Sequence, residues 1–276
     1  MGITTRGQVA NSNGTAGKQR VGIIVPTIGS RPEYLPLALQ SIRDAGGSAY
    51  VILVGNKGFD GGPFLAQGLI DEYLTEPDEV IGAANLAAKI NFGLRALPAD
   101  IQYFNWLGDD DLLTPGSLDI ALARITAADK PVLVFGGCEY IDPDGNRIWA
   151  MPGGQWNVPL LRFGPQLIPQ PGALYSRAAF EQLGGLSNKF GWAFDFNLFL
   201  GLSTIGKCVY VPQTLAKFRW HPGSLSVSKR RSSVAEASAV RRSYLPAWLR
   251  PISILWEWPV MQATYWAGVR MSRKLK

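Results

Sequence analysis

The stretch VGIIVPTIGSRPEYLPLALQSIRDAGGSAYVILV, residues 21–54, determines the fold. Residues 21–25 form an uninterrupted apolar run rich in β-branched side chains, which is typical of a parallel strand buried on both faces. Residues 32–45 carry leucine and isoleucine at helical spacing and stop at a Gly-Gly pair, and residues 50–54 form a second apolar run. Strand, helix and strand in this order predict a βαβ unit.

The alternation of strands and helices continues beyond this unit. The predicted elements that follow are a helix over 83–97, a strand over 101–107, a helix over 117–127 and a strand over 132–137. This order predicts an α/β fold, with a mostly parallel Rossmann-type sheet and flanking helices. Ligands bind such sheets beyond the carboxyl ends of the strands, so residues 27–31, 56–57 and 109–111 are the candidate site segments.

The second half of the chain is less regular. Residues 151–172 contain five prolines and are expected to form loops. The predicted elements after them are helices over 176–183 and 193–204, a strand over 208–212 and an extended segment that leads to His221. We expect a disordered arm (1–20, without the apolar core of a secretory signal), a catalytic domain (21–228, with halves of about 21–115 and 116–228) and a C-terminal helical extension (229–276).

The composition limits the classes of protein to consider. Of the 276 residues, 47% are hydrophobic and 17% are charged, which excludes disorder along the whole chain. The two cysteines, Cys138 and Cys208, exclude a disulfide scaffold and a cysteine-rich zinc module. Residues 1–216 carry 15 Lys or Arg against 19 Asp or Glu, and residues 217–276 carry 12 against 2. The net charge of +6 therefore comes from the end of the chain.

Three adjacent carboxylates, Asp109, Asp110 and Asp111, directly follow a predicted strand. Their mutual repulsion lowers stability, and a hard divalent cation such as Mg²⁺ or Mn²⁺ would remove it. Such a cation keeps coordination positions open for the phosphates of a substrate. The alternative is a solvated acidic turn that helps to cap the following helix.

Two further side chains are candidates for chemistry. Asp195 lies on a predicted helix among aromatic residues that include Trp192 and Phe196. Apolar surroundings raise the pKa of a carboxyl group and suit a general base, whereas the alternative is a helix-start aspartate that faces water. His221, the single histidine, follows Arg219 in a turn and is placed to contact a phosphate or a metal, although a lone histidine is more often structural.

Five segments, taken in order, resemble the family 2 glycosyltransferases with the GT-A fold. These segments are VGIIVPTIGSRPEYLPLALQSI (21–42), YVILVGN (50–56), AAKINFGLRAL (87–97), FNWLGDDDLLTPGSL (104–118) and GWAFDFNLFLGLSTIGKCVYVPQTLAKFRWHPGSLS (191–226). The resemblance covers about residues 21–228, and it rests on the order and spacing of the segments together.

The resemblance implies an inverting transfer of a sugar from a nucleoside diphosphate to a hydroxyl group, with Mg²⁺ or Mn²⁺ on the diphosphate. By their places in the matched segments, Asp195 would be the general base, and the metal ligands would be Asp109, Asp110, Asp111 and His221. The nucleotide sugar would contact Pro26, Thr27, Arg31, Asn56, Lys57, Lys89, Asn91, Asp109 and Asp110. The acceptor would contact Trp192 and Gln170.

One departure from the family's pattern concerns the nucleobase. The aspartate that usually ends the second strand and reads a uracil or thymine edge is replaced by Gly55, with Asn56 next to it. Asparagine still hydrogen-bonds a pyrimidine imide, so a UDP- or dTDP-sugar is favoured. Asp60 is the substitute if the loop folds back.

Two other departures concern the acidic residues. The first aspartate of the family's metal motif falls on Gly108, which leaves the register open between Asp110 and a pair formed by Asp109 and Asp111. The glutamate that commonly precedes the base is Phe194, whereas the base itself is in place.

The C-terminal extension is basic and rich in tryptophan. Residues 252–269 contain one charge, Glu257, and one proline, Pro259, and both disfavour a membrane-spanning helix. Aromatic residues among Arg and Lys are typical of a segment that lies on an anionic membrane surface, so peripheral contact through residues 245–276 is expected. The alternative is packing on the catalytic domain or on a second subunit of a homo-oligomer. Nucleic acid is not expected, because no nucleic-acid-binding motif accompanies the charge.

These observations together predict a metal-dependent glycosyltransferase on the cytoplasmic face of the cell membrane, acting on a glycan or glycolipid precursor. A nucleotidyltransferase on a similar sheet is the closest alternative, but it needs no base for a sugar hydroxyl. A non-catalytic module that binds sugar nucleotides is the third, and the acidic triplet and Asp195 argue against it.

Overall fold

A nine-stranded mixed sheet lies at the centre of the computed structural model, which describes residues 20–78, 86–151, 153–221, 223–224 and 230–273. The strands are β1 (Arg20–Pro26), β2 (Ser48–Gly55), β3 (Glu72–Thr75), β4 (Tyr103–Trp106), β5 (Leu112–Leu113), β6 (Leu133–Ile141), β7 (Arg147–Met151), β8 (Leu174–Ser176) and β9 (Cys208–Arg219). Their order is β3-β2-β1-β4-β8-β6-β9-β5, and β7 pairs with β6. Strands β1 to β4 pair in parallel, whereas β8 is antiparallel to both β4 and β6.

Helices flank this sheet throughout the described part of the chain. They are α1 (Leu35–Asp44), α2 (Gly62–Ala66), α3 (Leu86–Ala96), α4 (Ser117–Ile125), α5 (Asn157–Leu160), α6 (Arg177–Gln182), α7 (Phe194–Ile205), α8 (Arg230–Tyr244) and α9 (Ile254–Arg273). Among the described residues, none of these helices is both long and apolar enough to cross a membrane.

The predicted βαβ unit and the α/β fold class are confirmed. Each residue of β1 from Arg20 to Pro26 has a parallel partner on β2, and both strands are buried along most of their length. Helix α1 ends where Gly46 and Gly47 adopt φ values of 84° and 69°, a left-handed conformation that favours glycine. Residues 1–19 of the predicted arm lie outside the described residues, as does the predicted start of α3 before Leu86, whereas Arg20 is the first residue of β1.

The second half of the sheet differs from its prediction. The predicted strand and extended segment after Lys207 form one strand, β9, which runs parallel to β6 and antiparallel to β5. Short strands such as β5, with two residues, carry too few positions for a period to be recognised in sequence. β5 nevertheless matters, because its pairing with Lys217 and Ala216 joins the acidic triplet to the segment that leads to His221.

The two faces of the sheet bury separate apolar cores. One core contains side chains of β1, β4 and α7, among them Ile24, Phe104 and Phe196. The other contains side chains of β1, α1 and α4, among them Val25 and Leu39. Because successive residues of a strand point to opposite faces, the continuous apolar run of β1 supplies both cores.

The C-terminal extension packs on the domain that precedes it. Val240 of α8 is fully buried in the core that also contains residues of α7, and Arg241 is 2% exposed. Glu257 of α9 is 1% exposed and accepts a hydrogen bond from Ser238 (3.0 Å), while it also pairs with Arg242. Helix α8 therefore shares an apolar core with α7, which agrees with the alternative that the extension packs on the catalytic domain.

Candidate functional site

A cavity of about 360 Å³ opens where β1 and β4 end. Its lining brings together residues from both halves of the chain, including Pro26, Thr27, Arg31, Lys89, Asp109, Asp110, Asp111, Gln166, Gln170, Trp192 and Asp195. The carboxyl ends of parallel strands are where α/β sheets hold their ligands. The acidic triplet and Asp195 thus share one cavity.

The first carboxylate of the acidic triplet is held by the loop after β1. Thr27 Oγ1 donates to Asp109 Oδ2 (2.6 Å), and Arg31 Nη1 donates to Asp109 Oδ1 (2.6 Å). Arg31 Nη1 also lies 3.2 Å from Asp110 Oδ2, and Arg31 Nη2 donates to the carbonyl oxygen of Gly223 (2.8 Å). Arg31 therefore links the triplet to the segment that follows β9.

The end of β9 supplies partners for the other two carboxylates. His221 Nε2 lies 2.8 Å from Asp110 Oδ2. The backbone N–H of Arg219 donates to Asp111 Oδ1 (3.0 Å), and its Nε donates to the carbonyl oxygen of Asp110 (3.0 Å). The guanidinium of Arg219 also lies over the ring of Tyr34, 4.4 Å from its centroid. The pairing of β5 with β9 thus brings His221 to the triplet, 111 positions away from Asp110.

The electrostatics of the triplet favour the binding of a cation. Burial raises the pKa of Asp109, and the neighbouring charge of Asp110 raises it further. The hydrogen bonds from Thr27 and Arg31 lower this pKa but do not cancel the rise. Burial, followed by repulsion from Asp110, raises the pKa of Asp111 well above its usual value. Burial alone would lower the pKa of Arg31, but the carboxylates of Asp110 and Asp109 raise it. The cluster thus carries negative charge that the guanidinium groups of Arg31 and Arg219 compensate only in part.

A metal site is not preassembled among the described residues, where no group of three or more His, Cys, Asp or Glu side chains is arranged to hold an ion. Both oxygens of Asp109 accept hydrogen bonds, and His221 Nε2 is directed to Asp110. Asp110 Oδ1 and Asp111 Oδ2 accept none from described residues, and both face Gly108, where a Cβ would lie 2.8 Å and 3.0 Å from them. These two hard oxygen donors fit Mg²⁺ or Mn²⁺, and the glycine keeps the space beside them open.

A buried ion pair lies beside the loop after β1. Lys89 Nζ lies 2.6 Å from Glu76 Oε2 and donates to Asn56 Oδ1 (2.6 Å) and to the carbonyl oxygen of Thr27 (3.1 Å). Lys89 and Glu76 are 3% and 2% exposed. Because an ammonium group only donates hydrogen bonds, Lys89 must face the oxygen of the Asn56 amide. The NH₂ group of Asn56 is therefore the part of this amide left for a ligand.

Asp195 lies in the first turn of α7, at the wall of the cavity. Gln166 Nε2 donates to Asp195 Oδ2 (2.7 Å), and the backbone N–H of Phe196 donates to Asp195 Oδ1 (2.7 Å). Burial raises the pKa of Asp195, and these two hydrogen bonds oppose the rise because they favour the ionised form. A carboxylate with a raised pKa in a cavity is suited to accept a proton.

The part of the cavity near Asp195 is lined by aromatic and amide side chains. Gln170 Nε2 donates to the carbonyl oxygen of Trp106 (2.8 Å) and to Asn105 Oδ1 (3.1 Å). The ring of Trp106 stacks on Tyr175 with centroids 4.9 Å apart. Trp192 lines the same wall. Flat apolar rings next to amide groups are suited to hold a polar ring such as a sugar.

Three predicted contacts of the nucleotide sugar, Asn56, Lys57 and Asn91, do not line this cavity. The side chain of Lys57 is 61% exposed and pairs with Asp78. The amide of Asn91 is used at both ends, since Nδ2 donates to the carbonyl oxygen of Leu186 (2.8 Å) and Oδ1 accepts from the Leu186 N–H (3.0 Å). The Asn91 side chain thus joins α3 to the loop after α6, and its contact with the nucleotide stays a prediction.

Two residues of the site have no signal in the sequence. Glu76, the partner of Lys89, follows a four-residue strand in a segment without a recognisable motif. Gln166, the partner of Asp195, stands in the proline-rich stretch that is predicted to be a loop. Neither position is periodic, so only the tertiary structure shows their partners.

Comparison with known proteins gives one curated relative and many solved structures. No family model matches the chain. A Rickettsia typhi protein with the name of an uncharacterized glycosyltransferase is 22% identical over 139 residues, which are 48% of this chain and 43% of that protein. The chain thus spans less than half the length of this relative.

The solved structures extend the likeness over most of the chain. Residues 1–349 of S. aureus TarS, in complex with UDP, match 82% of this chain and 65% of that chain with a TM-score of 0.59 and 12% identity. The mannosyltransferase PcManGT from Pyrobaculum calidifontis, in complex with GDP-Man and Mn²⁺, matches 95% of this chain and 77% of that chain with a TM-score of 0.57 and 15% identity. The resemblance to glycosyltransferases and the GT-A-like fold class are thereby confirmed.

Proposed function

We propose that this chain, which has a GT-A-like fold, is an inverting glycosyltransferase that moves a sugar from a nucleoside diphosphate to a hydroxyl group of a glycan or glycolipid. The observation that carries the proposal is the shared cavity, in which Asp195 with its raised pKa and the acidic triplet Asp109–Asp111 line one space. Such a transfer requires a site for a metal ion that stabilises the diphosphate, and a base for the hydroxyl group.

Our proposal for the donor rests on the edge formed by β1 and β2. Thr27 and Arg31 line the cavity next to the triplet, and the guanidinium of Arg31 suits a diphosphate oxygen. The free NH₂ group of Asn56 suits a carbonyl oxygen of a nucleobase, which both uracil and thymine present. These contacts favour a UDP- or dTDP-sugar, and the two solved neighbours named above are complexes with UDP and with GDP-Man.

For the metal, we propose that Asp110 Oδ1 and Asp111 Oδ2 hold Mg²⁺ or Mn²⁺ together with the donor phosphates. When bound, such an ion stabilises the negative charge that builds up on the leaving diphosphate. Asp109 then orients Arg31 and Thr27 beside it, since both of its oxygens are occupied by them. One neighbour, PcManGT, is in complex with Mn²⁺.

For the chemical step, we propose that Asp195 takes the proton of the acceptor hydroxyl. The oxygen attacks the anomeric carbon as the bond from that carbon to the diphosphate oxygen breaks, and the electron pair leaves with the diphosphate. A single displacement of this kind inverts the configuration at the anomeric carbon. Gln166 keeps the carboxyl group of Asp195 oriented and ionised, while Gln170 and Trp192 contact the acceptor.

We further propose that the protein acts on the cytoplasmic surface of a membrane, which residues 245–276 contact. Leu255, Trp258 and Trp266 of α9 are 75%, 62% and 58% exposed. They lie on one face of the helix, because at 3.6 residues per turn the three side chains fall within an arc of about 80°. Arginine side chains such as Arg270 accompany this face, as on helices that lie on anionic lipid.

The proposed function is tested by product analysis. The protein with Mn²⁺ is offered UDP-, dTDP- and GDP-sugars, with water or a glycan as acceptor, and a thermal shift first identifies the donor. We expect release of nucleoside diphosphate, and loss of about 10²–10⁴-fold of this rate in Asp195→Asn with donor binding retained. Release of pyrophosphate would instead indicate a nucleotidyltransferase. Binding without any release, in wild type and variant alike, would indicate a non-catalytic module.

A further inference from the structure

Three backbone N–H groups directly before α7 are bound by one carboxylate from the C-terminal extension. Glu236 of α8 accepts hydrogen bonds from the N–H groups of Gly191 (3.2 Å to Oε1), Trp192 (2.8 Å to Oε2) and Ala193 (3.0 Å to Oε2). These donors are 43 to 45 positions away from Glu236 in the sequence. Helix α7, which carries Asp195, begins immediately after them at Phe194.

This contact lies at a helix start for which the local sequence provides no side-chain cap. The N-cap residue of α7 is Ala193, which has no side-chain acceptor, and the helix start shows no side-chain cap. Unpaired N–H groups and the helix dipole give the start of a helix a positive potential, which a carboxylate stabilises. Asp195 uses one oxygen for the Phe196 N–H and the other for Gln166, so Glu236 is the group that holds the chain before the helix.

The residues held by Glu236 are part of the cavity. Gly191 and Trp192 line it, and Asp195 follows Ala193 by two positions. Ser233, one helical turn before Glu236 on α8, lines the cavity as well. The extension therefore forms part of the wall beside Asp195.

Helix α8 also braces the other partner of Asp195. Arg241, 2% exposed, donates from Nη1 to the carbonyl oxygen of Gly164 (3.1 Å), two residues before Gln166. The guanidinium of Arg241 lies 5.9 Å from the centroid of the Phe196 ring. Both the loop before α7 and the loop that carries Gln166 are thus fixed to the same helix.

We infer that Glu236 is a positioning residue for the proposed base: through the amides of residues 191–193 it sets the start of α7, and with it the places of Asp195 and Trp192 in the cavity. The inference rests on the proposed function, in which Asp195 accepts the proton. A base displaced by about 1 Å loses on the order of 10²-fold in rate, since the proton transfer depends on hydrogen-bond geometry.

The test uses Glu236→Gln, which keeps the shape of the side chain but turns an NH₂ group toward backbone donors, and Glu236→Ala in the full chain. The matched control is Glu181→Gln, because the Glu181 side chain is 62% exposed in a pair with Arg177 on α6. We measure hydrogen exchange of peptides that cover residues 190–196, kcat and KM for the donor, and the Kd of the nucleoside diphosphate with Mn²⁺.

We expect faster exchange at residues 191–193 and a kcat that is about 10–100-fold lower in both Glu236 variants, with the donor KM and the nucleotide Kd within about threefold of wild type. Unchanged exchange would overturn the inference, and so would faster exchange with a wild-type kcat. An equal loss of nucleotide affinity and of kcat would also overturn it, because the effect would then be a general loss of folded structure. The base assignment fails separately, if Asp195→Asn retains turnover.

Discussion

Arg31 Nη1 lies 2.6 Å from Asp109 Oδ1 and also 3.2 Å from a carboxylate oxygen of Asp110, so one guanidinium contacts two carboxylates of the acidic triplet. The guanidinium is mostly buried, with a side-chain exposure of 19%. A divalent cation that binds the triplet would be repelled by this positive charge and would compete with it for the same carboxylates. Arg31 thus stabilises the protein without metal and opposes the metal at the same time.

Replacement of Arg31 separates these two effects. Arg31→Met removes the positive charge that pairs with the buried carboxylates. We therefore expect the variant without metal to be destabilised by about 2–4 kcal/mol and its Tm to fall by several degrees. Mn²⁺ should then raise the Tm of the variant more than that of the wild type. Thermal unfolding with and without MnCl₂ measures both shifts. Arg20→Met is the control, because Arg20 pairs with Asp100 on the surface and should have little effect on either shift. An Mn²⁺ shift equal to that of the wild type would contradict competition at the triplet.

Gly108 offers a second test of the same site. A Cβ at this position would lie 2.8 Å from Asp110 Oδ1 and 3.0 Å from Asp111 Oδ2, so Gly108→Ala must displace the two oxygens that we propose as metal ligands. We expect the affinity for Mn²⁺ to fall by about 10-fold or more, by analogy with changes near other metal sites. Calorimetric titration with MnCl₂ measures this loss. In the control Gly154→Ala, the added Cβ meets its nearest neighbour at an ordinary 3.8 Å. Equal affinity in both variants would place the metal away from Asp110 and Asp111.

The edge of the sheet that carries the triplet is predictable, whereas the environment of the base is not. Thr27 follows the apolar run of the first predicted strand, and Asp109 follows the predicted strand over 101–107. Parallel neighbouring strands end at one edge, so the contact of these residues across 82 positions follows from the pattern. Gln166 and Glu236 reach Asp195 and the start of α7 from a loop and from the extension. No period relates these segments, because their approach depends on packing between α7 and α8 that residue spacing does not encode.

The resemblance to a family does not predict what the side chain of Asn91 contacts. An Asn-x-Gly motif predicts a nucleotide contact, but the structure uses this amide to hold the backbone of Leu186. Gly93 two residues later has a packing role, since a Cβ there would lie 2.8 Å from a side-chain atom of Ile24. Motif letters therefore identify the helix correctly without fixing what each side chain contacts.

Burial of Asp195 predicts a stability that depends on pH. Burial raises the pKa of this carboxyl group above that of the unfolded chain, which is about 4, so the folded state holds the proton more tightly. The stability that this group contributes is present at low pH and is lost as the pH rises through the folded pKa. Because an asparagine side chain does not titrate, Asp195→Asn should gain in Tm relative to wild type between pH 4 and pH 7. Unfolding scans across this range measure the Tm difference between variant and wild type. A Tm difference that stays constant with pH would show that burial does not raise the pKa of Asp195.

Gln166 should control the pH at which the proposed base becomes active. Its N–H donates to Asp195 Oδ2 and favours the ionised carboxylate, so Gln166→Leu should raise the pKa of Asp195 further. Because only the ionised base accepts a proton, the acidic limb of the kcat profile should move to higher pH, and kcat near the wild-type midpoint should fall. Profiles of kcat from pH 5 to pH 9 measure the movement. Gln67→Leu, at an exposed position, is the control and should leave the limb in place. A limb that moves to lower pH would exclude Asp195 as the group that titrates.

The exposed face of α9 gives the test of membrane contact. Truncation at residue 245 would also remove Glu257, which is bonded to Ser238 and Arg242, so substitutions are cleaner. The variant carries Leu255→Ser, Trp258→Ser and Trp266→Ser, which remove exposed apolar area. We expect its binding to vesicles that contain anionic lipid to fall by about 10-fold or more, since each buried side chain contributes on the order of 1 kcal/mol or more.

The control for this experiment removes exposed apolar side chains elsewhere. Leu37→Ser and Trp149→Ser change residues that are 53% and 43% exposed outside the extension, and they should leave vesicle binding unchanged. Binding of the wild type should also weaken as salt is increased, because lipid charge attracts the arginines of the extension. Equal sedimentation of variant and control with the vesicles would contradict membrane contact through α9. A wild-type dimer that the α9 substitutions convert to a monomer would assign the same face to a second copy of the chain.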